Sequence, residues 1–397
     1  MPQYLAPGVY VEEVPSGAAP IAGVGTSIGG FIGVSDPSVG VTMPEIPGQF
    51  EADPDPDGNP IPKRYELVAE NDPQLITSWQ QFTTKFGNFS PGNKILAHGV
   101  YGFFNNGGTR CWVTRIDDIT NAATVETALV GFAAIDEITL VAVPGAQLDT
   151  VHDKIMTHCE SMGDRFAVLD ANNVDSVEKS QIQGNTRTSD YAAMYFPWIE
   201  VFDPVSEAKD ILPPSGHMVG IYARVDTERG VHKAPANAVI RGATGVARRV
   251  SKADQTGLNP DGINIIRKFN GNVTVWGART LGGDANTEWK YINVRRLFLF
   301  LRESIDEGTQ WVVFEPNSPN LWSKITRNVT AFLTIVWRSG ALFGSTPQEA
   351  FYVKCDAETN PPEVRDLGQV VTEIGVAVVK PAEFVIFRIS QWAGPGG

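Results

Sequence analysis

The chain has 397 residues, 42% of them hydrophobic, enough for two or three cores and too many for a single one. Its formal net charge of −13 is segregated: residues 1–62 hold eight acids and no Lys or Arg, 63–239 hold 22 acids and 14 bases, and 240–397 hold 15 acids and 18 bases. That pattern disfavours broad nucleic-acid binding and suits either a charge-matched protein contact or solvated faces of differing sign, and the longest apolar runs, such as Leu297–Leu301, are too short for a membrane span.

The start, Met1-Pro2-Gln3-Tyr4-Leu5, lacks the basic, apolar, small-residue order of a secretory signal, so the chain is expected to stay in the cytosol after synthesis. Val9-Tyr10-Val11-Glu12-Glu13-Val14 reads as a strand with nothing nearby to pair with, and Pro15–Gly25 as a tether rich in Pro and Gly. Ser27–Val34 is a predicted strand. Residues 36–62, with Asp53-Pro54-Asp55-Pro56-Asp57-Gly58, read as an exposed loop. Helical spacing appears at Leu75–Phe86, then a strand at Cys111–Ile116.

From 121 to 235 strands and helices alternate: Ile138–Val143 extended, Thr150–Met162 helical, Arg165–Asp170 extended, Tyr195–Phe202 extended, Gly216–Thr227 helical. Such alternation predicts a parallel or mixed sheet and an α/β (α+β) fold class. Pro235-Ala236-Asn237 marks a plausible boundary, followed by a helix at Thr287–Ile305, a strand at Gln310–Phe314 and a long helix after Ser318. In that helix Leu321, Ile325, Val329, Phe332 and Val336 share one face, while Lys324, Arg327 and Arg338 lie within about 60° of one another on the other. No acid falls between Glu315 and Glu349. Gln369–Val378 alternates as a strand, and after Pro381 a terminal strand is predicted over Glu383–Ile389, again without a local partner. Apolar strands with bare N–H and C=O groups are association hazards, so both ends are expected to be built into a sheet, their own or a neighbour's.

Chemistry-bearing motifs are sparse. The Gly-rich run Gly23–Gly30 precedes a strand instead of opening a helix after one, so it does not read as a phosphate loop. Ser27 precedes every histidine, including His98, the wrong order for a subtilisin-type triad. His152, His158 and Cys159 lack the second pair that a tetrahedral metal site needs. Asp53, Asp55, Asp57 and Gly58 match the start of a calcium loop, but its twelfth position is Arg64. Cys111, Cys159 and Cys355 are expected as buried free thiols. No catalytic, cofactor-binding or metal site is therefore predicted.

The last third carries a more specific signal. Trp289–Arg296 leading into a helix, Trp311–Asn317, Leu321-Trp322, Gly340–Gly344, Glu349–Val353 and Gly375–Ile389 together resemble the C-terminal domain of contractile tail sheath proteins. Pro7–Glu13 and Phe103–Gly108 are similar to the front half of that family, while residues 40–65 and 120–235 carry little recognisable motif.

The resemblance implies an N-terminal strand arm and tether over 1–20 and the first part of an N-terminal sheath domain over 21–120. A variable, non-catalytic α/β middle would span 121–235, a mixed α/β C-terminal sheath domain 236–380 and a strand arm 381–397. It also implies a non-enzymatic subunit of stacked hexameric rings around an inner tube protein, with baseplate and terminal cap partners, no directly bound nucleic acid and no membrane insertion. The particle would assemble in a bacterial cytoplasm as a phage tail or phage tail-like body that the cell could release. Carrying the middle and C-terminal domains on one chain favours a phage, tailocin or extracellular contractile injection system over type VI secretion. Strand exchange between subunits would use Val9, Tyr10, Val11, Phe384, Val385, Ile386, Phe387 and Ile389, and Lys324, Arg327 and Arg338 would face the tube. A non-contractile self-assembling scaffold, or a cytosolic enzyme with an unrecognised site, are the alternatives.

Overall fold

The computed structural model describes residues 20–388. They form two compact units, one built from Gly25–Leu301 with the tail from Val378, the other from Arg302–Ala377 with the described residues up to Val24. The expected arm residues Val9, Tyr10, Val11 and Ile389 lie outside the described residues.

The larger unit is organised by one nine-stranded sheet. In chain order its strands are β1 (Gly29–Val34), β2 (Gln74–Ile76), β3 (Cys111–Ile116), β4 (Leu140–Ala142), β5 (Phe166–Asp170), β6 (Ala192–Phe196), β7 (Ala238–Val239), β8 (Ile263–Phe269) and β9 (Asn272–Val275). Their spatial order is β7-β9-β8-β6-β5-β4-β1-β3-β2. Pairing from β3 through β8 is parallel, and the edge strands β2, β9 and β7 run antiparallel to their neighbours. The sheet takes strands from both sides of residues 120 and 235.

Parallel strands covered on both faces should read as near-continuous apolar runs, and Phe-Ala-Val-Leu in β5 and Ala-Ala-Met-Tyr-Phe in β6 do. Alternate residues feed separate cores. Phe31, Val113, Leu140, Val168 and Tyr195 pack with residues of helices α1 (Trp79–Phe86), α2 (Lys94–Asn105) and α5 (Ser215–Arg229). Ile32, Ile116, Val141, Leu169 and Met194 pack with those of α3 (Ala122–Ala133) and α4 (Asp149–Met162). Helices α2 and α5 approach through small residues, and a Cβ on Gly216 would stand 2.4 Å from the Cα of Gly99. Asp170 at the end of β5 accepts from the Ser215 N–H (2.8 Å) and hydroxyl (2.6 Å) and from the Gly145 N–H (3.0 Å), which ties the start of α5 to the sheet. Burial pushes its carboxyl up to about 6 against these hydrogen bonds.

The other unit contains α7 (Pro319–Arg338), part of α6 (Ile292–Thr309), and a two-stranded antiparallel sheet of Phe351–Lys354 with Glu373–Val376. Helix α7 buries Leu321, Ile325, Val329, Phe332 and Val336 as the spacing predicts.

Several sequence expectations change. Gln310–Phe314 is not a strand: α6 continues past Ile305 through Gly308 to Thr309 and closes in a 3-10 turn over Gln310–Val312, and among the described residues no strand pairs with the segment. Tyr195–Phe202 is two strands, split at Pro197, which has no N–H to donate to a ladder. The exposed stretch 36–62 contributes Glu45–Phe50, which pairs antiparallel with Pro62–Arg64. Alternation at 369–378 yields a strand only over Glu373–Val376. Residues 383–388 form no strand, since no edge among the described residues pairs with them. Among the described residues no helix is long and apolar enough to cross a membrane.

Candidate assembly interface

From Val379 to Arg388 the tail of the larger unit is in no strand, and most of its side-chain bonds converge on Glu383. Glu383 forms a two-bond ion pair with Arg279, Nε to Oε1 and Nη2 to Oε2 both at 2.8 Å. The same carboxylate accepts from Asn259 Nδ2 (2.7 Å) and the Tyr291 hydroxyl (3.1 Å). Arg279 is almost wholly buried, its side chain 3% exposed, and its remaining N–H groups reach Asp284 (3.0 Å) and the Asn259 carbonyl (2.9 Å). Burial alone would raise the Glu383 carboxyl, but the Arg279 and Asn259 hydrogen bonds outweigh it and hold it below the usual carboxylate range. Upstream, the Asn293 amide donates to the Val379 carbonyl.

Directly after this anchor the chain presents Phe384, Val385, Ile386 and Phe387, which are 69–85% exposed. Four consecutive large apolar side chains in water, on a backbone without ladder bonds, are what a segment awaiting a strand partner looks like. In the smaller unit the sheet of Phe351–Lys354 and Glu373–Val376 has two strands among the described residues, a size that is marginal without additions. Its Tyr352 is exposed, as are Val313, Phe314, Ile335, Phe343 and Leu367 of the same unit. Phe314 has a φ of +67°, a conformation that bulky residues rarely adopt, so the backbone there turns this ring fully outward.

On α7, Arg327 and Arg338 are exposed and Lys324 is half-buried. None of the three enters an ion pair among the described residues. The structure thus places the basic stripe together on one helix and the apolar arm together on one tail.

The weaker chemical motifs are absorbed into packing. His98 faces Asp203 at 3.4 Å; that carboxylate also pairs with Lys94 at 2.9 Å and accepts from the Ser206 hydroxyl. Burial lowers the His98 imidazole. His152 bonds the Thr186 hydroxyl and the Ala146 carbonyl, both at 2.9 Å, and Cys159 is a buried thiol in the same core. Asp55 turns its carboxylate inward onto the N–H groups of Asp57 and Asn59. The anchor at Arg279 and Glu383 was missed by sequence reasoning; the buried arginine carried no local signal, because its partner lies 104 residues away.

Comparison with known proteins agrees with the motifs. A family model described as the phage tail sheath protein central domain matches residues 121–281, and one described as the phage tail sheath C-terminal domain matches residues 284–391. The tail sheath protein of Burkholderia phage BcepMu is 28% identical over 209 residues, covering 51% of this chain and 43% of that protein. This chain spans about half the length of the phage and prophage relatives of this kind. The sheath of the extracellular contractile injection system PVC in its contracted state is 28% identical, with a TM-score of 0.76 and 99% of each chain covered. The contracted helical sheath of the anti-feeding prophage is 29% identical, with a TM-score of 0.75 and 98% and 99% covered. Two adjoining sheath-domain matches, together with full-length similarity to two sheath structures, show that this chain belongs to the contractile tail sheath family.

Proposed function

We propose that the chain is the structural subunit of a contractile sheath, stacked as six-subunit rings around an inner tube and shortening once to drive that tube through a target envelope. The apolar arm beyond Glu383 carries this reading: it is anchored on its own unit, exposed, and without a strand partner among the described residues. In the assembly Phe384–Phe387 add to a neighbour's sheet, the two-stranded Phe351–Lys354 and Glu373–Val376 pair being the natural acceptor, and the N-terminal arm does the same. Such β-addition exchanges main-chain hydrogen bonds worth about 1 kcal/mol net each. The junction survives while the bodies it joins pivot.

Contraction needs no nucleotide. The extended sheath is a kinetically trapped state, and new contacts repeated over many copies supply the free energy of shortening. Lys324, Arg327 and Arg338 face an acidic tube, through salt-screened contacts weak enough to release. The role is structural, with the titratable candidates bonded into the cores. Near-complete coverage of the anti-feeding prophage and PVC sheath chains supports a compact, extracellular injection-type particle assembled in the bacterial cytoplasm, with baseplate and cap partners.

Co-expression of the chain with its tube protein, followed by electron microscopy, tests the proposal. Striated cylinders in long and short forms, converted by acid or denaturant, are the expected result. Cylinders that never shorten would indicate a static scaffold, and absence of any cylinder would overturn the reading.

A further inference from the structure

At the C-terminal end of α5 the larger unit has a cavity of about 400 Å³ whose lining is short of negative charge. Arg224, Arg229, Lys233 and Arg241 border it, with Glu228 the one acid in the wall. None of these four cations enters an ion pair among the described residues. Arg224 spends Nη2 on the Val239 carbonyl at 2.7 Å, while its Nη1 is buried with no hydrogen-bond partner. A buried guanidinium nitrogen left unbonded is costly, and a ligand oxygen would satisfy it. Burial and then the neighbouring Arg241 push the Arg224 guanidinium down, and burial and then Arg229 push the Lys233 ammonium down. The wall is electrostatically incomplete.

The same chain carries a matching group of charges. In Glu51–Asp57 the side chains of Glu51, Asp53 and Asp57 are exposed and unpaired among the described residues. The turn is held by Asp55 N to the Asn59 carbonyl (2.9 Å) and Gly58 N to the Asp55 carbonyl (2.9 Å), and Pro54 and Pro56 restrict it further. A pre-shaped segment loses little entropy on docking. The nearest bases in the chain are Lys63 and Arg64; Arg64 pairs with Glu45, and neither forms an ion pair with Glu51, Asp53 or Asp57 among the described residues.

We propose that this basic cavity is a carboxylate receptor, and that its occupant is the acidic turn Glu51–Asp57 of a second copy of the chain. The inference rests on the sheath reading, in which copies are held together, and it assigns a contact separate from the terminal arms. Being charge–charge and partly open to solvent, the contact weakens as salt rises.

Two measurements on the full chain test it. Asp57→Cys combined with Arg241→Cys, oxidised in assembled particles, should give a ladder of disulfide-linked subunits on non-reducing gels, while either single variant gives none. In parallel, a peptide of residues 49–60 is titrated against the unassembled chain at low salt. Arg229→Glu with Arg241→Glu, both exposed positions that leave the core intact, should weaken peptide binding at least tenfold, and a peptide with Asp53 and Asp57 changed to Asn should not bind. Cylinders that form without the cross-link, or a chain that binds inorganic phosphate but not the peptide, would overturn the proposal. Peptide binding that persists where the chain forms no cylinders would support the receptor and reject the sheath reading instead.

Discussion

Replacing Glu383 with Gln removes one charge from a two-bond ion pair whose arginine side chain is only 3% exposed. Removing one partner of a buried pair costs roughly 3–5 kcal/mol when the other charge is stranded. Here Asp284 and the Asn259 carbonyl still hold Arg279, and the amide retains one acceptor, so about 2–3 kcal/mol is the appropriate loss. At 1.36 kcal/mol per tenfold, arm release should become roughly 30- to 150-fold more favourable. Spin labels at Ile386→Cys and Lys252→Cys, both exposed positions of the larger unit, read this directly. The parent should give one narrow distance peak and Glu383→Gln a broad distribution. Acid should act in the same direction. The folded-state carboxyl lies below its unfolded value, so the latch is complete above the ordinary glutamate value of about 4.3 and is lost as pH falls through the depressed one. An unchanged narrow peak in Glu383→Gln at neutral pH would refute the idea that this ion pair anchors the arm.

Ending the chain after Glu383 keeps the Glu383 side chain and removes residues 384–397, the apolar arm included; the truncated chain should match the parent in thermal melting, yet fail to form cylinders in micrographs. Lys324→Glu with Arg327→Glu should leave the subunit folded by circular dichroism while abolishing tube-filled extended particles, and normal filled particles would sink the tube assignment. Gly216→Ala places a methyl 2.4 Å from the Gly99 Cα and should cost about 2–3 kcal/mol in denaturant unfolding, because two helix backbones must separate. Asp170 has a folded-state value raised to about 6, so its contribution is full below about pH 4 and lost as pH rises through 6. The stability difference between the parent and Asp170→Asn should therefore shift by roughly 2 kcal/mol between pH 4 and 7. A flat difference would place the ionised carboxylate comfortably in its three hydrogen bonds.

Local periodicity was a sound guide wherever a segment's burial follows from its own pattern. The apolar stripe of α7 lies buried as its spacing requires, and the unbroken apolar runs of β5 and β6 lie at the centre of a parallel sheet. It misled where pairing decides the outcome. Trp311-Val312-Val313-Phe314 has the composition of a strand but no paired edge among the described residues; part of it closes a helix and Phe314 faces water. Glu383–Arg388 has the same composition, and among the described residues it too has no strand partner.

The amino-acid order was sufficient for family membership, for the mixed α/β class and for the grouping of Lys324, Arg327 and Arg338, because each depends on motifs or on spacing within one element. The strands on either side of residues 120 and 235 share a sheet through pairings that no local pattern encodes. Arg279 meets Glu383 across 104 residues, and Arg224, Arg229, Lys233 and Arg241 surround a common cavity. Charges interact through space according to distance and burial, and both are set by the packing of distant segments. Tertiary structure alone therefore decided where the arm is fastened and where the subunit is left short of negative charge.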